Sequence, residues 1–176
     1  MSSASFLLTQ LNGAHDRTTF NSGSEPLNKY LREQVSQDVR RRMAACFVAT
    51  TDRRRIAGYY TLASASLLLS ELPPDMGKKL PRYPTVPAVR MGRLAVDQDF
   101  KGQGLGGALL ADALGRAAGS EIAAFAMMVD AKDETAVEFY RHHGFIALPD
   151  SPRTLFLPLA TVQATNDATA EKSSGF

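Results

Sequence analysis

The stretch VDQDFKGQGLGGALLADAL, residues 96–114, decides how the chain is interpreted. Four of the chain's 13 glycines lie between positions 102 and 107, directly before an alanine- and leucine-rich segment of helical character. A strand-like run, AVRMGRLAV at 88–96, comes before them. Glycine lets the backbone approach a ligand closely, and the free amides at a helix start face an anion. The stretch therefore predicts a phosphate-binding loop between a strand and a helix.

Two general phosphate loops fit this stretch poorly. A P-loop requires GxxxxGK[ST], and no such lysine and hydroxyl pair follows the glycines. A dinucleotide loop requires GxGxxG, which Gly102, Gly104 and Gly107 satisfy, with Asp130 after the next apolar run. However, residues 97–101 separate the strand from the first glycine, and too little chain follows Asp130 for further βαβ units. The dinucleotide loop is therefore the weaker alternative.

Two motifs together resemble the GNAT N-acetyltransferase family. KGQGLG at 101–106 is similar to that family's acyl-CoA loop, which reads Arg or Gln, two residues, Gly, one residue, Gly or Ala. Lys101 takes the first position and keeps a positive charge there. VDAKDETAVEFYRHHGF at 129–145 is similar to the family's second signature, with Asp133 in place of the usual asparagine. The two motifs cover residues 90–160.

The resemblance implies an α/β (α+β) GNAT fold, in which helices flank a mixed sheet of six or seven strands with splayed central parallel strands. It implies acetyl-CoA as the co-substrate and no metal. It also implies that Tyr140 is catalytic and protonates the departing thiolate, because a phenol with a pKa of ~10 keeps its proton above a thiol's ~8.5. The implied cofactor-binding residues are Leu94, Ala95, Val96, Lys101, Gly102, Gln103, Gly104, Leu105, Gly106, Gly107 and Asp133.

Charge is distributed unevenly, although the net charge is only +2. Residues 29–55 carry eight Lys or Arg against three acids, and residues 78–93 carry five against none. Residues 94–160 carry nine acids against five bases. Such asymmetry is typical of a protein that meets a polyanion on one face, although a solvated charged helix and turn would also explain it.

Residues 15–160 resemble the toxin branch of the GNAT family, the acetyltransferases of type II toxin–antitoxin pairs. Members of that branch acetylate the α-amino group of aminoacyl-tRNA and so block translation. The resemblance implies a ribbon-helix-helix antitoxin as partner, and a homodimer. Five arginines are the candidate tRNA contacts: Arg40, Arg41, Arg42, Arg90 and Arg93. Two alternatives remain open, namely a GNAT enzyme for a small amine or protein N-terminus, and a catalytically idle acyl-CoA-binding module.

The remaining patterns predict one domain over residues 1–160 and a polar, disordered tail over 161–176. Expected strands are 6–11, 44–50, 56–67, 88–96, 122–129, 145–148 and 154–159, and expected helices are 26–43, the segment from the glycines to 118, and 134–143. The proline-rich segment 70–88 is expected to be non-helical. A single cysteine, Cys46, excludes an internal disulfide framework and, with no membrane span or signal peptide expected, favours the cytoplasm.

Overall fold

The computed structural model describes residues 5–162, which form a mixed sheet of seven strands in the order β1-β2-β3-β4-β5-β7-β6. The strands are β1 (Leu7–Gln10), β2 (Ala45–Thr50), β3 (Ile56–Leu68), β4 (Thr85–Val96), β5 (Ala126–Asp130), β6 (Ile146–Leu148) and β7 (Ser151–Pro158). The helices are α1 (Glu25–Lys29), α2 (Val35–Arg40), α3 (Pro74–Gly77), α4 (Leu105–Ala118) and α5 (Glu134–His142), with a π-helical turn (Tyr30–Gln34) between α1 and α2. The predicted α/β class is confirmed.

The chain divides into two compact units, and β3 and β4 each contribute residues to both. The first unit, Met1–Ala63 and Met91–Ala113, contains the antiparallel pairs β1–β2 and β2–β3, in which Leu7 lies opposite Thr50 and Ala45 opposite Leu62. Its core is formed by apolar side chains of β2, β3 and β4, of the helical segment around the π-helical turn, and of the chain before α1. That core includes Phe20, Leu31, Val35, Cys46, Val48, Ile56, Tyr59 and Ala95.

The second unit comprises Ser64–Arg90 and Leu114–Phe176. β7 pairs antiparallel with β5 and with β6, so that Met128 and Ile146 both lie opposite Phe156. Its core is built from strand residues and the segment after β3, namely Leu67, Leu72, Val86, Ala88, Ala126, Met128, Leu148 and Phe156. Residues 159–162 are helical, and the rest of the predicted tail, 163–176, lies outside the described residues.

Several predicted elements differ from the structure. Strand β4 starts at Thr85 rather than at 88, and β7 starts at Ser151 rather than at 154. The prediction that segment 70–88 is non-helical is wrong at α3: Pro73 and Pro74 stand at its start, where the missing N–H of proline costs no hydrogen bond. Strand β5 starts at Ala126 rather than at 122, and the Ile122 side chain is 84% exposed. The first predicted helix ends at Arg40 rather than at 43, because a Schellman motif ends it there.

The end of α2 has the hydrogen bonds of a Schellman motif. The Met43 amide donates to the Asp38 carbonyl at 2.8 Å, and the Arg42 amide donates to the Val39 carbonyl at 3.1 Å. This motif places Arg42 in the left-handed region, with a φ of 58°. Glycine is the residue that adopts this conformation without a steric penalty, so the arginine side chain is held here against backbone preference.

Replacing Arg42 with glycine should raise stability, because it removes the steric penalty of the left-handed conformation. We expect Arg42→Gly to increase the free energy of unfolding by about 0.5–1 kcal/mol, measured by chemical denaturation. Arg42→Ala is the matched control, since it removes the same charge but keeps a Cβ and should give no such gain. Equal effects of the two substitutions would contradict the strain assignment.

Candidate active site

The predicted phosphate loop opens helix α4 in the first unit. The first i to i−4 hydrogen bond of the helix runs from the Ala108 amide to the Gly104 carbonyl at 3.1 Å, so the amides of residues 105–107 precede the helical hydrogen-bond ladder. Gly102 and Gly104 have φ of +79° and +76°, and a Cβ at either would meet nothing within 4 Å. Their backbone conformation, rather than crowding, therefore requires glycine. The loop presents backbone donors in the arrangement that binds phosphate.

The arm before this loop is fixed by a buried carboxylate. The Asp97 side chain accepts the Asp99 amide through Oδ1 and the Asn21 amide through Oδ2, both at 2.9 Å. An Arg55 guanidinium nitrogen lies 3.6 Å from Oδ1. Asp97 is only 3% exposed, so these partners compensate a charge that would otherwise be costly to bury. Sequence analysis missed this role, because Asn21 is distant along the chain.

Lys101, at the first loop position, is anchored to the same neighbouring segment. Its Nζ donates to the Ser22 carbonyl at 2.9 Å, while the side chain stays exposed. The amides of Ser22 and Gly23 already bond to the side chains of Asn28 and Asn21. Lys101 thus links the start of the phosphate loop to a well-bonded turn.

Gly58 on β3 allows α4 to pack closely and was not identified from the sequence. A Cβ at this position would lie 2.8 Å from Leu109 Cδ1, 3.0 Å from the Ala95 carbonyl oxygen and 3.3 Å from Leu105 Cδ2. Leu105 is the first residue of α4, so Gly58 determines how closely the start of this helix packs on β3. A glycine inside the strand-like run IAGYY was the available signal, since strand glycines often mark close approach.

The three strand residues predicted to bind the cofactor lie at the end of β4. Ala95 is buried in the core of the first unit, and Leu94 and Val96 are half-buried on either side. Gln103 lies in the loop, whereas Gly106 and Gly107 lie in the first turn of α4. Hydrogen bonds from these backbone groups to a cofactor stay a prediction.

Tyr140 and Asp133 belong to α5 in the second unit. Asp133 is the N-cap of this helix, and its side chain accepts a hydrogen bond from the Ala136 amide at 2.8 Å. Helix capping alone therefore accounts for an aspartate at this position. Tyr140 is 8% exposed and contacts the rings of Phe139 and Phe145, at centroid distances of 5.2 and 5.5 Å. Burial raises the pKa of Tyr140 to about 12. The phenol is therefore a proton donor and not a phenolate at neutral pH.

The five candidate RNA-binding arginines have different surroundings. Arg40, Arg41 and Arg42 are exposed at the end of α2. Arg93, in the same unit, lies over the Tyr30 ring, with Cζ 3.4 Å from the ring centroid. Arg90, in the second unit, forms an ion pair with Asp130, so its charge is partly neutralised.

A cavity of about 650 Å³ in the second unit contains none of the predicted site residues. Its lining comes from residues 68–84 and includes Leu68, Leu72, Lys78, Arg82 and Tyr83. Within residues 5–162, no three His, Cys, Asp or Glu side chains are grouped as metal ligands would be. In the same part of the chain, no helix has both the length and the apolar composition that a membrane span requires.

Residues 17–155 match the family described as acetyltransferase (GNAT) domain. The chain belongs to the GNAT acetyltransferase family. The resemblance seen in the loop and in the α5 signature is thereby confirmed, and the dinucleotide-loop alternative is wrong.

This GNAT acetyltransferase is similar in sequence or in structure to the following three proteins. A "tRNA-acetylating toxin" of Mycobacterium tuberculosis (strain ATCC 25618 / H37Rv) is 35% identical over 157 residues, which are 88% of this chain and 93% of that protein. A structure of AtaT complexed with acetyl-methionyl-tRNAfMet has a TM-score of 0.84 at 29% identity, covering 92% of this chain and 99% of AtaT. A tyrosine-to-phenylalanine variant of AtaT bound to the antitoxin AtaR C-terminus and acetyl-CoA has a TM-score of 0.77 at 25% identity, covering 91% and 97%.

Gly58→Ala should weaken acetyl-CoA binding, because the added Cβ pushes against the first residue of α4 and the Ala95 backbone. We expect a loss of about 1–3 kcal/mol in stability from overpacking and a higher Kd for acetyl-CoA by titration calorimetry. Gly115→Ala, in the same helix with nothing within 4 Å of the added Cβ, is the control. It should leave the Kd unchanged, and an unchanged Kd in Gly58→Ala as well would refute the seating role.

Proposed function

We propose that this chain is the toxin of a type II toxin–antitoxin pair, which transfers acetyl from acetyl-CoA to the α-amino group of aminoacyl-tRNA and so blocks translation. The single observation that carries the proposal is the likeness, over nearly the whole of both chains, to a protein named a tRNA-acetylating toxin. The AtaT complexes with acetyl-methionyl-tRNA and with acetyl-CoA support the same substrates.

The geometry of the loop supports the predicted binding of the cofactor's pyrophosphate. The amides at the start of α4, in residues 102–107, bind the pyrophosphate, and Lys101 adds a positive charge beside it. The backbone of Leu94, Ala95 and Val96 binds the pantetheine arm and donates to the thioester carbonyl oxygen as negative charge develops there. Asp133 contributes through the turn that it caps.

In the reaction, the free α-amine attacks the thioester carbonyl carbon. The carbon–sulfur bond breaks, the amine loses its proton to water, and the leaving thiolate takes a proton from Tyr140. An α-amine has a pKa of about 8, and esterification of the adjacent carboxyl in aminoacyl-tRNA lowers that pKa further. A substantial fraction of the amine is then neutral at physiological pH, so no dedicated base is required. Burial keeps Tyr140 protonated at neutral pH, so the phenol can donate to the sulfur as the thiolate leaves, and the resulting phenolate regains its proton from water.

RNA binding is assigned to the basic surface of the first unit. Arg40, Arg41 and Arg42 extend from the end of α2, and lysine or arginine contacts to phosphate supply affinity independent of sequence. Arg93 is a further contact, and Arg90 is a weaker candidate because Asp130 already pairs with it.

The proposal extends to organisation and partners. Residues 1–160 act as one catalytic domain, two copies form a homodimer, and the neutralising partner is a ribbon-helix-helix antitoxin. AtaT bound to the C-terminus of AtaR supports an antitoxin partner. Because charged tRNA is the substrate, the protein acts in the cytoplasm.

The experiment that tests the proposal is incubation of the protein with radiolabelled acetyl-CoA and charged total tRNA. We expect label on the amino acid of charged tRNA and none on deacylated tRNA. Label that appears only on free amines or protein N-termini would instead support the small-substrate GNAT enzyme, and no transfer to any amine would support an idle binding module.

Tyr140→Phe should lower kcat for acetyl transfer by about 10²-fold or more, because the thiolate loses its proton donor. The Kd for acetyl-CoA should stay within error of the wild type, measured by calorimetry on the same preparation. Since the pKa of Tyr140 is raised to about 12, its protonated form persists across pH 7–10. The wild type should therefore show no alkaline loss of kcat from this group below pH 10, and a phenylalanine variant with full activity would remove the assignment.

A further inference from the structure

The guanidinium of Arg93 is held against an aromatic ring, and no carboxylate of the described residues forms an ion pair with it. Its Cζ lies 3.4 Å from the centroid of the Tyr30 ring, and the side chain is half-buried. Within residues 5–162, its N–H groups donate no hydrogen bond and form no ion pair. A guanidinium with one face against an aromatic ring keeps its in-plane donors available, in the fork that fits two phosphate oxygens.

Tyr30 is itself held in place. It starts the π-helical turn between α1 and α2, and the Val35 amide closes that turn on the Tyr30 carbonyl. The Tyr30 hydroxyl donates to Asp38 Oδ2 at 2.8 Å, and Gln34 Nε2 donates to Asp38 Oδ1 at 3.1 Å. π-helical turns occur often at functional sites, and here the turn supplies both donors to one carboxylate.

Asp38 lies near the cationic side chains of Arg93 and Arg41 but forms no ion pair with either of them. Its hydrogen bonds from Tyr30 and Gln34, followed by the charges of Arg93 and Arg41, lower the pKa of this carboxyl. The carboxylate therefore lies close enough to both arginines to interact with them, and its own two oxygens are occupied by neutral donors. Arg41 and Arg93 both belong to the first unit, and both interact electrostatically with Asp38.

We infer that Tyr30 and Asp38 are positioning residues for Arg93, and that the edge of the Arg93 guanidinium binds a backbone phosphate of RNA. The Tyr30 ring supports the face of the cation. The Tyr30 hydroxyl holds Asp38, which would otherwise form an ion pair with Arg93 and block it. This inference rests on the proposed function, because it requires RNA at this surface.

The test is binding of deacylated total tRNA to the full chain at several salt concentrations, followed by fluorescence anisotropy. Arg93→Ala should raise the Kd and reduce the slope of log Kd against log salt by about 1, the signature of one lost phosphate contact. Tyr30→Phe keeps the ring and frees Asp38, so it should raise the Kd about 3-fold, the size of one weakened charge-assisted contact. Adding Asp38→Asn to that variant should restore the Kd to the wild-type value or below.

Tyr59→Phe is the matched control for Tyr30→Phe. The Tyr59 hydroxyl donates to the Leu27 carbonyl at 2.7 Å, so this variant also loses one buried phenolic hydrogen bond, but it frees no carboxylate. We expect its Kd for tRNA to equal that of the wild type. Equal effects of the two substitutions, no rescue by Asp38→Asn, or an unchanged salt slope in Arg93→Ala would each overturn the inference.

Deacylated tRNA separates this inference from the proposed function. A wild-type protein that binds tRNA with the expected variant pattern but acetylates no aminoacyl-tRNA would refute the proposed reaction and leave the phosphate contact standing. A wild-type protein that acetylates charged tRNA but shows no Arg93 or Tyr30 effect would refute the inference alone. Absence of any tRNA binding would refute both.

Discussion

The geometry of the phosphate loop depends on one buried carboxylate, that of Asp97. Its two oxygens accept backbone amides from two separate segments, at Asn21 and Asp99. A further hydrogen bond joins the same segments, because the Gln98 amide donates to the Asn21 carbonyl at 2.9 Å. An ionised carboxylate buried without such partners would cost several kcal/mol. The segment around residue 21 and the arm before the glycines therefore order one another. A loop rich in glycine has little conformational preference of its own, so this anchor determines where its amides are directed.

The candidate site could be predicted from the sequence only where its residues are local. The glycines before α4 and the α5 signature are contiguous patterns, and both lie where those patterns indicated. The contact of Asp97 with Asn21 spans 76 positions, and Gly58 contacts α4 through the packing of different elements. No periodicity encodes such pairs. Likewise, β5 starts at Ala126 and not at Ile122, where the apolar run begins. The Ile122 side chain is apolar but exposed, and hydropathy alone could not indicate that exposure.

Charge counting identified the basic segments but could not rank their members. Arg90 and Arg93 both belong to the basic segment 78–93, and a count of charges treats them alike. In the structure Asp130 pairs with Arg90, whereas Arg93 lies on an aromatic ring and keeps its donors. An exposed ion pair contributes little to stability, but it does reduce the field that an approaching polyanion meets. The two arginines therefore differ in how much of their charge is already paired, and that difference depends on residues remote in the chain.

Backbone strain supports the same conclusion about the basic surface. Among residues 5–162, two non-glycine residues have positive φ, and both are exposed arginines in the basic segments, Arg42 at 58° and Arg53 at 74°. Glycine would relieve either position, and neither side chain is needed for the packed core. Residues held in unfavourable backbone regions concentrate where function constrains them. A cation at the end of α2 and another in the turn after β2 thus occupy left-handed backbone positions at a cost in stability, which is the pattern expected if this surface contacts an anionic partner.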